Sequence, residues 1–356
     1  MNIKSGLIIA TCICLFQVNV WAQPKAKNVI FMIGDGMGIN QVYAAMTAQG
    51  GHLNLEKCTA SGFSKTYSAN KYITDSAAGG TALATGSKTK NNMIGLAPDS
   101  VTKLWSSLYF AEQKGLATGI VVTVPVTHAT PASFYAHQIS RKMSEEIALD
   151  LLNANIDVVI GGGRDDFEKR TDKQNLKTQF EAKNYQVVHS EKALDKIEQG
   201  KVLALLDDKD MPVASKRGDM LPNSVQKAIS ILSKDTAGFF LMVEGSQIDY
   251  QGHNNNTNEL INEMVDFDKA IGKALDFAAK DGNTLVVITA DHETGAFSIL
   301  DGNFETGKVD GKFNSFYHSG VPVPVFAFGP GSEQFNGWME NIDFRDKLLN
   351  ALGIKH

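Results

Sequence analysis

The sequence predicts an α/β fold: one domain built on a large, central, mostly parallel sheet flanked by helices. Three observations predict it. Short apolar runs at 28–33, 118–124, 157–160, 239–243, 284–289 and 323–328 are continuous rather than alternating, the pattern of strands buried on both faces. Helical patterns lie between them, clearest over 258–280, where Leu260, Met264, Phe267, Ile271, Ala274 and Ala278 recur every three or four residues. The segments 144–153 and 222–234 are similar, and no Pro-, Gly- or Ser-rich linker divides the chain.

The first residues of the chain are expected to set its compartment. Residues 1–22 read as a secretory signal: Lys4 is their only charge, Leu7 to Phe16 form an apolar core, and Val20 and Ala22 place small residues before a cut. That core is too short to span a membrane. A lipoprotein signal at Cys12 would leave a shorter core still, so cleavage after Ala22, with residues 23–356 as one catalytic domain, is the expectation. Cys12 and Cys14 leave with the signal, and Cys58 alone cannot form an intramolecular disulfide. Export without disulfides suits a periplasm. A formal charge of −5 provides no basic footprint for nucleic acid.

Taken in order, the strands are followed by acids and imidazoles. The first runs into "GDGMG" with Asp35, and the second into "THATPA" with His128 and Thr130. "VEGSQIDYQGH" carries Glu244, Asp249 and His253, and "TADHETG" carries Asp291 and His292. His318, in "YHSG", precedes the last run. Open parallel sheets bind ligands beyond the carboxyl ends of their strands, so these side chains are expected at one edge. A lone Asp after a strand is ordinarily a turn residue. Asp249 and His253, four apart, could also be a simple helical surface pair. Collected together, they offer the oxygen and nitrogen donors that Zn²⁺ and Mg²⁺ take, enough for more than one ion.

A metal cluster changes the meaning of Ser76 in "TDSAAGGTALATG". Locally, Asp75 and Ser76 read as helix capping residues. A serine beside metal ions at a helix N-terminus can instead be ionised and act as a nucleophile. No G-x-S-x-G elbow is present. "GGTALATGSKT" falls short of a phosphate-binding P-loop, because Gly80 to Gly86 is one residue too long and Ser87 displaces the lysine.

Six segments in order, "IGDGMG", "TDSAAGGTALATG", "THATPASFYAHQISR", "VEGSQIDYQGH", "TADHETG" and "YHSG", closely resemble the alkaline phosphatase family. The resemblance implies a serine nucleophile, Ser76, with two zinc ions and one magnesium ion. It assigns Asp249, His253 and His318 to one zinc, and Asp35, Asp291 and His292, with Ser76, to the other. Magnesium falls to Asp35, Thr130 and Glu244. Arg141, which closes "ATPASFYAHQISR", matches the arginine that grips phosphate. His128 holds a position near the magnesium site that relatives fill with Asp or His, and is expected in the second shell. The segment 293–317 is short where relatives carry a longer crown, which sets the implied homodimer in question. The substrates implied are small phosphate monoesters. The competing expectations are a diester- or sulfate-ester hydrolase on the same scaffold, or a silent metal- or phosphate-binding protein.

Overall fold

The structure is a computed structural model that describes residues 25–355; the signal segment 1–22, with Cys12, lies outside the described residues. In chain order the strands are β1 (Asn28–Gly34), β2 (Ala60–Lys65), β3 (Ala117–Pro125), β4 (Val158–Gly162), β5 (Tyr185–Val188), β6 (Lys201–Leu205) and β7 (Phe239–Gly245). They continue with β8 (Thr284–Thr289), β9 (Glu293–Thr294), β10 (Ser298–Asn303), β11 (Lys308–Lys312), β12 (His318–Ser319), β13 (Val323–Phe328) and β14 (Gly337–Glu340). Ten form one sheet in the order β14-β2-β13-β8-β1-β7-β3-β4-β6-β5. Every pairing in it is parallel except those of β13, which runs antiparallel to both β2 and β8.

All six predicted runs are strands of this sheet. β1 shows why continuous apolar sequence was needed. Val29, Phe31 and Ile33 enter the core on one face, while Ile30 and Met32 enter the core on the other. On the second face lie the helices Met220–Leu232 and Thr257–Asp281. The six apolar residues predicted for the latter are all buried. Helices Ser76–Thr85, Ser107–Gln113, Ser144–Asn153 and Asp343–Leu352 cover the first face.

The strands missed were β2, β5, β6 and β14 of the large sheet and the two small hairpin pairings, β10-β11 and β9-β12. β2 and β14 lie toward one edge and interrupt their few apolar residues, Ala60, Phe63, Trp338 and Met339, with polar residues or glycine, so their sequence carries no apolar run. No described helix is long and apolar enough to cross a membrane.

Candidate active site

Four neighbouring strands, β8-β1-β7-β3, deliver the predicted acids and imidazoles at their carboxyl ends. Asp35 follows β1, Glu244 ends β7, Asp291 and His292 follow β8, and His128 and Thr130 open the turn after β3. Asp249 and His253 lie on helix Gln247–His253, on one face a turn apart. His318 starts β12, which pairs with β9 just beyond His292. Residues far apart in sequence thus form one cluster.

Ser76 is the first residue of helix Ser76–Thr85, which is buried along its whole length. Asp75 is the capping residue: its side chain accepts a hydrogen bond from the Ala78 amide at 3.0 Å. That leaves the Ser76 hydroxyl free of capping duty, 3.2 Å from His292 Nε2. Small residues let the helix approach closely. A Cβ on Gly79 would stand 3.0 Å from the Asp291 carbonyl oxygen, and one on Gly80 would stand 3.0 Å from Ser133 Oγ.

Three groups of donors converge within 4.8 Å: Asp249, His253 and His318; Asp35, Asp249 and His292; and Asp35, His128 and Glu244. Asp291 joins the second group through Oδ2, 3.3 Å from His292 Nε2. Thr130 adjoins the third, donating to Asp35 Oδ2 at 3.3 Å. The structure therefore gathers His128 with Asp35 and Glu244. Arg141 reaches the same edge, with Nη2 donating to His128 Nε2 at 3.0 Å and Nη1 3.6 Å from Asp75 Oδ2.

The donor chemistry fits cations. His253 Nδ1 lies 2.6 Å from the Phe316 carbonyl oxygen, and His318 Nδ1 lies 2.9 Å from that of Thr74. A carbonyl only accepts, so both rings carry their proton on Nδ1. Their Nε2 atoms then present lone pairs to each other at 3.1 Å, and to Asp249 Oδ1 at 3.3 and 3.4 Å. Two lone pairs and a carboxylate facing one point repel unless a cation lies between them. Deeper in, Asp35 Oδ1, Glu244 Oε1, Asp291 Oδ2 and His128 Nδ1 are buried without a hydrogen-bond partner. Orphaned buried polar atoms are costly, and four at one place mark a site built to be completed by a ligand.

Titration shifts report the same crowding in the bare chain. Burial, reinforced by Asp291, Asp249 and Glu244, holds the Asp35 carboxyl well above its ordinary range. Burial lifts Glu244 to about 8, and burial with Asp249 lifts Asp291 to about 7. Burial and Arg141 lower His128 to about 3. Each shift disfavours the charged form where no compensating charge is present.

Sequence patterns missed three supporting residues. Thr294 hydrogen-bonds both Asp249 and His292. Ser246 Oγ donates to Glu244 Oε2 at 2.7 Å. Glu293 accepts from Gln41 Nε2 at 2.7 Å and from Ser319 Oγ. All three sit inside the quoted motifs, but an ordinary polar residue beside a ligand gives no signal of its own.

Such a sheet, with acids and imidazoles around a serine at one strand edge, defines a metal-binding hydrolase class. Comparison with known proteins narrows it. The alkaline phosphatase family model matches residues 26–311. Alkaline phosphatase 4 of Bacillus subtilis is 33% identical over 452 aligned positions, covering 99% of this chain and 97% of that protein. The alkaline phosphatase of the Antarctic bacterium TAB5 superposes with a TM-score of 0.89 at 38% identity, covering 94% of this chain and 100% of that one. A histidine-to-aspartate mutant of the TAB5 enzyme, with Mg bound in its M3 site, matches at 0.88 and 39%, with the same coverage. The chain belongs to the alkaline phosphatase family, and its chemistry is the metal-dependent hydrolysis of phosphate monoesters.

Proposed function

We propose that this chain is an exported phosphate-monoester hydrolase that works through a covalent phosphoserine at Ser76, with two zinc ions and one magnesium ion. One observation carries the proposal: the Ser76 hydroxyl, released from capping by Asp75, points at His292 Nε2, which also lies 3.4 Å from Asp35 Oδ1 and 3.3 Å from Asp291 Oδ2. Asp249, His253 and His318 would hold one zinc, and Asp35, Asp291, His292 and Ser76 the second. Asp35, Thr130 and Glu244 would hold magnesium, with His128, gathered with Asp35 and Glu244, tuning that ion. When bound, the cations supply the charge that ionises the serine and steadies developing negative charge on oxygen.

The chain's own groups do the rest. Free amides at the start of helix Ser76–Thr85 favour an anion there. The Arg141 guanidinium binds two non-bridging oxygens of the phosphoryl group and holds phosphorus in line with Ser76 Oγ. The serine oxygen forms a bond to phosphorus as the ester oxygen departs with the electron pair and takes a proton from solvent. Water then attacks the phosphoserine, releasing inorganic phosphate and restoring the hydroxyl. Export rests on the signal pattern of residues 1–22.

Ser76→Ala tests this. The variant should keep its fold and metal content but lose the covalent phosphoenzyme, with kcat on p-nitrophenyl phosphate falling roughly 10³-fold or more. Turnover near wild type in a metal-loaded Ser76→Ala protein would remove the serine from the reaction.

A further inference from the structure

Thr294 touches every segment that supplies two of the donor groups, Asp249 with His253 and His318, and Asp35 with Asp249 and His292. Its hydroxyl donates to Asp249 Oδ1, and His292 Nδ1 stands 3.2 Å from Thr294 Oγ1. Its backbone pairs with His318 across β9 and β12, and its amide donates to the Gly36 carbonyl, next to Asp35, at 3.1 Å. The residue is fully buried.

The surroundings leave space for this residue and little else. A Cβ on Gly36 would come within 2.8 Å of Thr294 Oγ1, and one on Gly252 within 2.8 Å of Thr294 Cγ2. The second glycine of "GDG" and the glycine of "YQGH" thus wall in a threonine from a third motif.

The proton count fixes the arrangement. A threonine hydroxyl has one proton to give. It goes to Asp249, because an ionised carboxylate can only accept. The oxygen can then only accept from His292, so the His292 ring carries its proton on Nδ1. Its Nε2 lone pair is left facing Ser76, Asp35 and Asp291. Were the hydroxyl absent, nothing on the Nδ1 side would choose between the two tautomers.

We propose that Thr294 is a positioning residue that fixes the His292 tautomer and the Asp249 carboxylate together, so that both donor groups are preset for cations by one hydroxyl. This rests on the reading that those groups bind zinc. Outer hydrogen-bond partners of metal ligands characteristically change affinity about 10- to 100-fold, and a shared partner transmits its loss to both sites.

Thr294→Val keeps the branched shape and removes the hydroxyl, while Thr294→Ser keeps the hydroxyl. In zinc titrations of the metal-free full chain, the valine variant should bind both equivalents roughly tenfold or more weakly than wild type, and the serine variant should recover most of that loss. Nitrogen-15 NMR of the metal-free protein supplies a readout that needs no zinc. The His292 ring should be the Nδ1–H tautomer in wild type and Thr294→Ser, and a mixture in Thr294→Val. If valine does not fold, Thr294→Ala against Thr294→Ser makes the same comparison, since both lose the methyl and only alanine loses the hydroxyl. Valine or alanine variants with wild-type zinc affinity and an unchanged tautomer would overturn the proposal. A wild type that binds no zinc would instead overturn the reading beneath it, and the tautomer comparison would still decide the role of the hydroxyl.

Discussion

Two regions of this molecule bury carboxylates, and they are treated in opposite ways. Behind the sheet, Arg217 lies between Glu263 and Asp266 of helix Thr257–Asp281, with the Arg217 and Glu263 side chains 1% exposed and Asp266 7%. All five guanidinium N–H groups are used: two on Glu263 at 2.6 and 3.0 Å, two on Asp266 at 2.6 and 3.2 Å, and one on the Pro212 carbonyl at 3.1 Å. At the strand ends, Asp35, Glu244 and Asp291 lie together at one edge of the sheet, and each retains a buried oxygen without a partner. The first region carries its countercharge in the sequence. The second does not, and the difference separates a structural ion cluster from a site awaiting a ligand.

Removing the metals should have the largest effect, because it acts on the uncompensated region alone. Chelation should abolish hydrolysis and lower the melting temperature, and zinc plus magnesium should restore both, since a ligand bound only by the folded state stabilises by about 2.7 kcal/mol at a hundredfold excess over Kd. The pH response should change with it. In the metal-free chain Glu244 and Asp291 are raised by burial to about 8 and about 7, above the roughly 4 expected when unfolded. A raised folded-state pKa contributes stability that is complete below the unfolded value and lost as pH rises through the folded one. His128 and His292, depressed by burial, act with the opposite sign, but only below about pH 6.5. From pH 6.5 to 9, then, metal-free protein should melt at progressively lower temperature, while the loaded protein should be flatter over that range. Hydrolysis surviving exhaustive chelation, or identical pH profiles in the two forms, would erase the contrast between the regions.

Arg217→Met probes the compensated region. It leaves Glu263 and Asp266 buried without a cation and should cost roughly 3–5 kcal/mol in denaturant unfolding, the range for breaking a buried pair from one side. Zinc content should stay at the wild-type value. A variant of unchanged stability would mean that the two carboxylates take up protons at little cost, and that the cluster behind the sheet is not held by its arginine.

The smallest effect is expected from His128→Asp. His128 stands between Arg141 and the Asp35 and Glu244 carboxylates. A carboxylate there should tighten magnesium binding severalfold and alter the rate, with zinc content untouched, as measured by metal analysis and magnesium titration. An unchanged magnesium dependence would place His128 outside that ion's surroundings.

Much of this was legible beforehand, and the reasons are particular. Strands such as β1 and β8 are buried on both faces, so every position must be apolar and the run is visible without knowledge of its neighbours. The helix Thr257–Asp281 is legible to within a residue at each end because its apolar residues recur every three or four positions; in the structure Asn256 caps it and Gly282 closes it. The candidate site could be read as a set of residues, since one acid after a strand is an ordinary turn residue but acids and imidazoles after several apolar strands converge on one edge. β2 escaped because its two apolar residues, Ala60 and Phe63, are separated by Ser61 and Gly62, and the fact that β13 runs antiparallel is nowhere written in its six residues.

By itself, the sequence determined which side chains meet water-free surroundings and which segments carry charge to the sheet edge. Those are properties of hydrophobic pattern and covalent order. Only the tertiary structure decided that β8, β1, β7 and β3 are neighbours, that Asp75 rather than Ser76 caps the helix, and that one proton on Thr294 governs both Asp249 and His292. The physical reason is directionality. Burial depends on composition and can be read along a chain, whereas a hydrogen bond depends on where a specific donor and lone pair point once distant segments have been packed together.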